Sequence, residues 1–197
     1  MVLIMDWFII DAINSIGILK KHLPLLVISP KETRNEVIII SEYVYNPVQE
    51  VQPNQNVLLQ GSIPCNKGYV YHRDGSGILT LRGIVNNVNG CFARYQVTFN
   101  GNIAVPSDGT VGPIAIALSI NGEPIQTSRA IVTPAAVATD PPTTENFFNV
   151  TSTAIITVPK GCCLSVAVEN VSEGATAADP APVILVQNAN LVVDRIA

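Results

Sequence analysis

Two short stretches carry residue types that could do chemistry. "PKGCCLSVAVEN" (159–170) sets Cys162 beside Cys163, and "GYVYHRDGSG" (68–77) spells His72, Asp74 and Ser76 close together. Adjacent thiols suggest a redox couple or part of a metal claw. A histidine with carboxylate and hydroxyl neighbours suggests a nucleophilic hydrolase. The elements that must position these groups argue against both. Successive side chains of a strand point to opposite faces. Cys162 shares parity with Leu164, Val166 and Val168 and is expected in the core, whereas Cys163 falls with Ser165 and Ala167 on the other face. The pair then cannot act as one claw, and a disulfide between neighbours needs strained geometry. A buried free cysteine packs as a small hydrophobe, so packing is the better reading. Cys65 and Cys91 remain able to pair with each other or with this strand in an oxidising compartment.

The remaining chemistry is thin. Triad residues converge from distant segments, and no Gly-x-Ser-x-Gly elbow occurs. His22, beside Lys20 and Lys21, reads as a solvated helix end. There is no Cys-x-x-Cys pair, no calcium loop and no phosphate-cradling glycine loop. No catalytic residue, metal ligand or cofactor is therefore expected. Asn149-Val-Thr and Asn170-Val-Ser are formal glycosylation sequons that matter only in a eukaryotic secretory host.

Composition bounds the rest. The 197 residues are 48% hydrophobic and 13% charged, about half the usual charged share. A net charge of −4 argues against a nucleic-acid partner, which calls for a basic stripe. So little charge on a monomer would leave large neutral patches, and such patches mark interfaces. Four cysteines are too few for a disulfide scaffold.

The first residues are apolar but interrupted by Asp6 and Asp11, with no small-x-small cleavage site, and the charge-free runs are too short to span a bilayer. Ile9, Ile13, Ile16, Leu19 and Leu23 recur at helical spacing, acids come early and lysines late, and Pro24 stops the pattern. This predicts a short amphipathic helix over about residues 6–22. Two readings stand for it. It packs on its own domain, or it anchors the chain to another protein through Trp7, Phe8, Ile9, Ile13, Ile16 and Leu19. Met5 is a second candidate start. Residues 1–45 are taken as an N-terminal segment of helix plus strand, and 46–197 as the main domain.

From Asn56 onward, apolar runs alternate with Gly, Pro, Asn and Asp. Their number and spacing predict an all-β fold, a jelly-roll sandwich of about eight to ten antiparallel strands. "SINGEPIQ" (119–126) is the clearest hairpin, turning at Asn121-Gly122. In 114–120 the large residues fall on one face and Ala115, Ala117 and Ser119 on the other; in 164–169 Ser165 and Ala167 do the same. Small uncharged residues suit packing against a copy of the chain, so Ala115, Ala117, Ser119, Cys163, Ser165 and Ala167 are the expected contacts between copies.

Five segments together carry a resemblance: "YVYHRDGSGILTLRG", "CFARYQVTFNGNIAVPSDGTVGPIAIALSINGEPI", "AIVTPAAV", "FFNVTSTAIITVPKGCCLSVAVENVS" and "VQNANLVVDRIA". In order, over about residues 43–197, they resemble small jelly-roll proteins of bacteriophages and prophages of gut Firmicutes. These are similar in style to tumour necrosis factor and complement-type trimeric heads. The resemblance implies a homotrimeric, non-enzymatic virion surface protein, a head fibre or capsid decoration, made in the bacterial cytoplasm. It implies contacts with the major capsid or another virion protein and carries over no active site. A fibre tip that recognises a host receptor or surface glycan, and a spore or cell-surface jelly roll, are the alternatives. The collagen-like stalk of the spore class is absent.

Overall fold

The computed structural model describes residues 39–63, 68–86, 88–107, 109, 112–134, 146–174, 176 and 179–197. All belong to one compact unit, Val37–Ala197. The helix expected over residues 6–22, the anchor residues Trp7 to Leu19, and Cys65 lie outside the described residues.

Among the described residues the chain builds β1 (Ile39–Tyr45), β2 (Gln49–Val51), β3 (Gln60–Ile63), β4 (Val70–His72), β5 (Ile78–Arg82), β6 (Phe92–Ala104), β7 (Ile114–Ile120), β8 (Glu123–Pro124), β9 (Ala130–Val132), β10 (Phe148–Pro159), β11 (Cys163–Asn170) and β12 (Ile184–Arg195). Two antiparallel sheets result. The first runs β10-β6-β12-β1-β3, with β2 also on β12; the second runs β4-β5-β11-β7-β8, with β9 also on β7. This is the expected jelly-roll sandwich. The expected apolar runs hold β3, β5, β6, β7, β9, β10, β11 and β12, and β2, β4 and β8 are short additions of two or three residues. β1, placed with the N-terminal segment in the sequence reading, is a full member of the first sheet, bonded to β12 along one edge and β3 along the other.

Alternation builds the core. Along β6, Ala93, Tyr95, Val97 and Phe99 are buried while Arg94, Gln96 and Asn100 stay exposed. Ile114, Ile116 and Leu118 of β7, Leu79 and Leu81 of β5, and Leu191 and Val193 of β12 complete the same cluster from both sheets. Tyr95 sits wholly inside, and its hydroxyl donates to the Arg82 carbonyl, so a large aromatic is buried without an orphaned hydroxyl. The predicted hairpin is present. Asn121 and Gly122 both take positive φ, 53° and 83°, as a tight β-turn of that type requires.

Two places tie the sheets together. Gly83 lies against the β10–β11 turn: its amide donates to Cys162 O at 2.8 Å, and its carbonyl accepts from Gly161 N at 2.9 Å. At the other end Asn170, with no exposed surface, donates from Nδ2 to Val51 O (2.9 Å) and Pro182 O (3.1 Å) and accepts from Ser172 N (3.0 Å).

Candidate interaction surfaces

Among the described residues, the outer face of the first sheet is partly exposed and nearly free of charge. Register sets its residues in rows across four strands: Ile155–Gln96–Asp194–Ile40, Thr153–Thr98–Val192–Glu42 and Thr151–Asn100–Asn190–Val44. Neutral side chains zip the rows together. Thr153 and Thr98 are bonded at 3.2 Å, Asn100 Nδ2 donates to Thr151 Oγ1 at 3.0 Å, and Asn149 Nδ2 donates to Asn100 and Asn102, both at 3.1 Å. Glu42 is held by Asn190 Nδ2 at 2.7 Å, while Asp194 Oδ1 is buried with no hydrogen-bond partner. Among these apolar residues, Ile155 is 64% exposed and Ile40 49%. The signal for this face was in the sequence: Asn149, Thr151, Thr153 and Thr157 alternate with Val150, Ser152, Ile156 and Val158. The residues expected at an interface are instead the small ones of β7 and β11.

Those small residues occupy the second sheet. Ala115, Ala117 and Ser119 are each 1% exposed within the single chain and Ala167 5%, so β7 is covered on both faces. A covered alanine has almost no area left to lose to another copy. Ser165 is half-buried, with its amide and hydroxyl bonded to Asn121 Oδ1 at 3.0 and 3.1 Å, and Cys163 is exposed opposite Arg82. In the same face Glu169 is 6% exposed, and its Oε2 has no hydrogen-bond partner. Burial pushes its pKa up from the ordinary 4.5; the Ser119 hydroxyl pulls it back, and the nearby Glu123 charge adds to the rise.

One cysteine assignment is corrected. Cys162 is exposed, not buried. The strand begins at Cys163, and Cys162 belongs to the turn that Gly161 opens at φ 77°. Its amide bonds back to Pro159 O at 3.0 Å, so strand parity does not direct its side chain. Cys91, Cys162 and Cys163 are all free thiols.

The His72 group is wired as a turn. The imidazole is 3% exposed, packs 4.8 Å from the Tyr43 ring, and bonds through Nε2 to the Ser76 carbonyl at 2.9 Å. Ser76 thus meets the ring with its main chain, while its hydroxyl bonds Ile78 at 3.3 Å. Asp74 Oδ1 lies 3.6 Å from Nδ1 and accepts from Gly61 N at 3.1 Å. The Ser76 hydroxyl is therefore turned to Ile78 and not to the imidazole. Among the described residues no three His, Cys, Asp or Glu side chains gather as a metal site, and no helix is long and apolar enough to cross a membrane. The Asn170 sequon is closed, because that side chain is spent inside the sandwich.

At the end of the sandwich where β2 meets β12, a groove of about 620 Å³ is lined by Glu50, Gln52, Pro53, Pro106, Gly109, Pro180, Ala181, Pro182 and Val183.

No family model matches the chain, and no curated protein does. Solved structures do. Eiger TNF from S. frugiperda is 11% identical with a TM-score of 0.50, over 81% of this chain and 93% of that one. The globular domain of zebrafish complement 1qA protein is 13% identical with a TM-score of 0.44, over 81% and 98%. PRD1 vertex protein P5 is 13% identical with a TM-score of 0.37, over 81% and 97%. At such identities the likeness speaks for the fold, and the match to Eiger TNF gives that fold as a TNF-like jelly roll.

Proposed function

We propose that this chain is a non-enzymatic structural protein of a virion surface, a head fibre or capsid decoration. It assembles as a homotrimer of jelly-roll heads, and its N-terminal segment, residues 1–45, attaches it to the major capsid or another virion protein. The ordered series of segments described above supports the virion reading. The observation that carries the trimer is the outer face of β10-β6-β12-β1. A solvent face normally carries Lys, Glu and Arg, yet the three central rows hold two charges, Glu42 and Asp194. Apolar Ile155, Ile40, Val44 and Val192 stand among Thr, Asn and Gln there, and Asp194 Oδ1 lacks a partner. Charge-depleted faces with buried polar groups awaiting partners are what oligomers cover. We place the main trimer contact on this face. Cys163 and Ser165 on the second sheet retain surface for lesser contacts.

Light scattering on the purified protein, with and without reductant, tests this. A mass of three chains, unchanged by reductant, is expected, because the described cysteines are free and the proposed face is non-covalent. A monomer at micromolar concentration overturns the trimer. Deleting residues 1–45 also removes β1, so the anchor is better tested by removing residues 1–36 and measuring loss of virion attachment.

The proline-lined groove favours a second reading, a fibre tip that recognises a host receptor or surface glycan. It sits at the end opposite the start of β1. A glycan array with no binding at high protein concentration counts against it.

A further inference from the structure

The end of the sandwich where β1 begins collects positive charge. Six Lys or Arg residues are described, and four of them stand here: Arg82 closes β5, Arg94 is the third residue of β6, Lys160 turns β10 into β11, and Arg195 closes β12. The Arg129–Glu173 ion pair and the His72–Asp74 contact involve none of the four. Their heads rest on neutral groups instead. Arg94 lies 4.7 Å over the Phe92 ring and Arg195 4.0 Å over Tyr69. Lys160 Nζ reaches Val88 O at 3.4 Å, and Arg82 Nη1 reaches Gly68 O at 3.5 Å. The described acids at this end are Asp194, half-buried, and Glu123 on the β7–β8 hairpin. The opposite end carries Glu50, Asp74, Glu173 and Asp179. Arg73 and Arg129 stand beside acids, next to Asp74 and against Glu173, so among the described residues the basic end has the excess of cations.

Apolar surface is interleaved with these cations. Val88 is 89% exposed, Ile196 42%, Phe92 41% and Ile84 36%. Guanidinium groups held over aromatic rings keep donors free while losing little freedom on binding. Arginine and aromatic side chains on a partly apolar surface are the residue types that dominate protein–protein binding.

We propose that this end is a docking surface for an acidic protein surface: carboxylates meet Arg82, Arg94 and Lys160, and apolar groups cover Val88 and Phe92. Ile39 opens β1 at this end, so the polypeptide arriving from the N-terminal segment enters here. This inference rests on the virion reading and deepens it: the head itself contacts the support that residues 1–36 lead to, so attachment has two parts. A protein suits the site better than a polyanion such as DNA. The net negative chain repels a long polyanion, and exposed Val88 and Phe92 gain from an apolar partner.

The test uses the full chain and, as probe, particles purified from a strain deleted for it. Wild type is compared with Arg82→Glu/Arg94→Glu/Lys160→Glu at two salt concentrations. Arg195 is left intact because its Nη2 donates to Ile84 O at 2.6 Å and so ties β12 to the segment after β5. The triple variant is expected to bind about tenfold or more weakly at ~0.1 M NaCl, with the gap shrinking toward ~0.5 M as screening shortens. Val88→Ser is expected to weaken binding at both salts. Circular dichroism checks folding, and the corresponding Gln triple replaces the Glu triple if that one does not fold. Wild type and triple variant binding alike overturns the docking surface and leaves the virion reading standing. Wild type failing to bind the particles overturns the virion reading, and this inference with it. Displacement by DNA fragments at matched charge overturns the choice of a protein partner.

Discussion

Replacing Asn170 by alanine is expected to cost more than its polar side chain suggests. The side chain has no exposed surface and fills three bonds, two donated by Nδ2 and one accepted by Oδ1. Alanine leaves Val51 O, Pro182 O and the Ser172 amide without those partners, and all three residues are buried. An unsatisfied buried group costs about 1–3 kcal/mol. Water entering the small cavity recovers part of this, so we expect about 3–5 kcal/mol, a large share of the ~5–15 kcal/mol that holds a domain together. Asn170→Asp sharpens the test. It keeps the acceptor toward Ser172 but turns a carboxylate toward two carbonyl oxygens. It should therefore be at least as damaging as alanine near neutrality. It should recover in acid, where a protonated carboxyl regains one donor. Urea unfolding followed by circular dichroism reads this, at one fixed protein concentration because oligomer stability depends on it. An alanine variant within about 1 kcal/mol of wild type would refute the reasoning, since it would mean that none of the three groups needs Asn170.

Further outcomes follow from other positions. Gly83→Ala should destabilise by about 2–4 kcal/mol or fail to fold, because a Cβ there would collide with Pro159 O and neither backbone can yield cheaply; thermal unfolding checks it. Ile155→Lys places a charge amid the outer face of the first sheet and should shift the light-scattering mass toward monomer while leaving the circular dichroism spectrum unchanged. Glu169→Gln should stabilise by about 1–2 kcal/mol at pH 7, by removing a buried charge with an unpartnered oxygen. The folded pKa of Glu169 is raised, so the folded state holds its proton more tightly than the unfolded one. The penalty is therefore complete above the folded value and fades as pH falls toward 4.5, and the gain from glutamine should fade with it. An unchanged gain at pH 4 would place its origin elsewhere.

The strands were legible because their chemistry is local. Tyr95, Val97 and Phe99 alternate with Arg94, Gln96 and Thr98, and Asn121-Gly122 marks its own turn. What failed to show depends on long-range placement. Cys162 obeys strand parity on paper, but a turn bonded to Gly83 claims it. Alternation separated Ala115, Ala117 and Ser119 from the core face, yet nothing in residues 114–120 says that both faces are covered. Asn170 reads as a sequon, and its partners Val51 and Pro182 come from opposite parts of the chain. The basic end assembles from positions 82, 94, 160 and 195, which no sequence window brings together.

The place of β12 bears on how the protein is made. This late strand lies inside the first sheet, with β6 on one edge and β1 and β2 on the other. Until residues 184–195 leave the ribosome, β1 and β6 have no neighbour between them and their edges stay unpaired. Such long-range pairings form slowly, and unfinished sheets invite wrong partners. The first sheet therefore cannot close until residues 184–195 have been made. A nascent chain cut short before β12 leaves a gap in the sheet between β6 and β1, an unpaired edge of the kind that chaperones and proteases recognise.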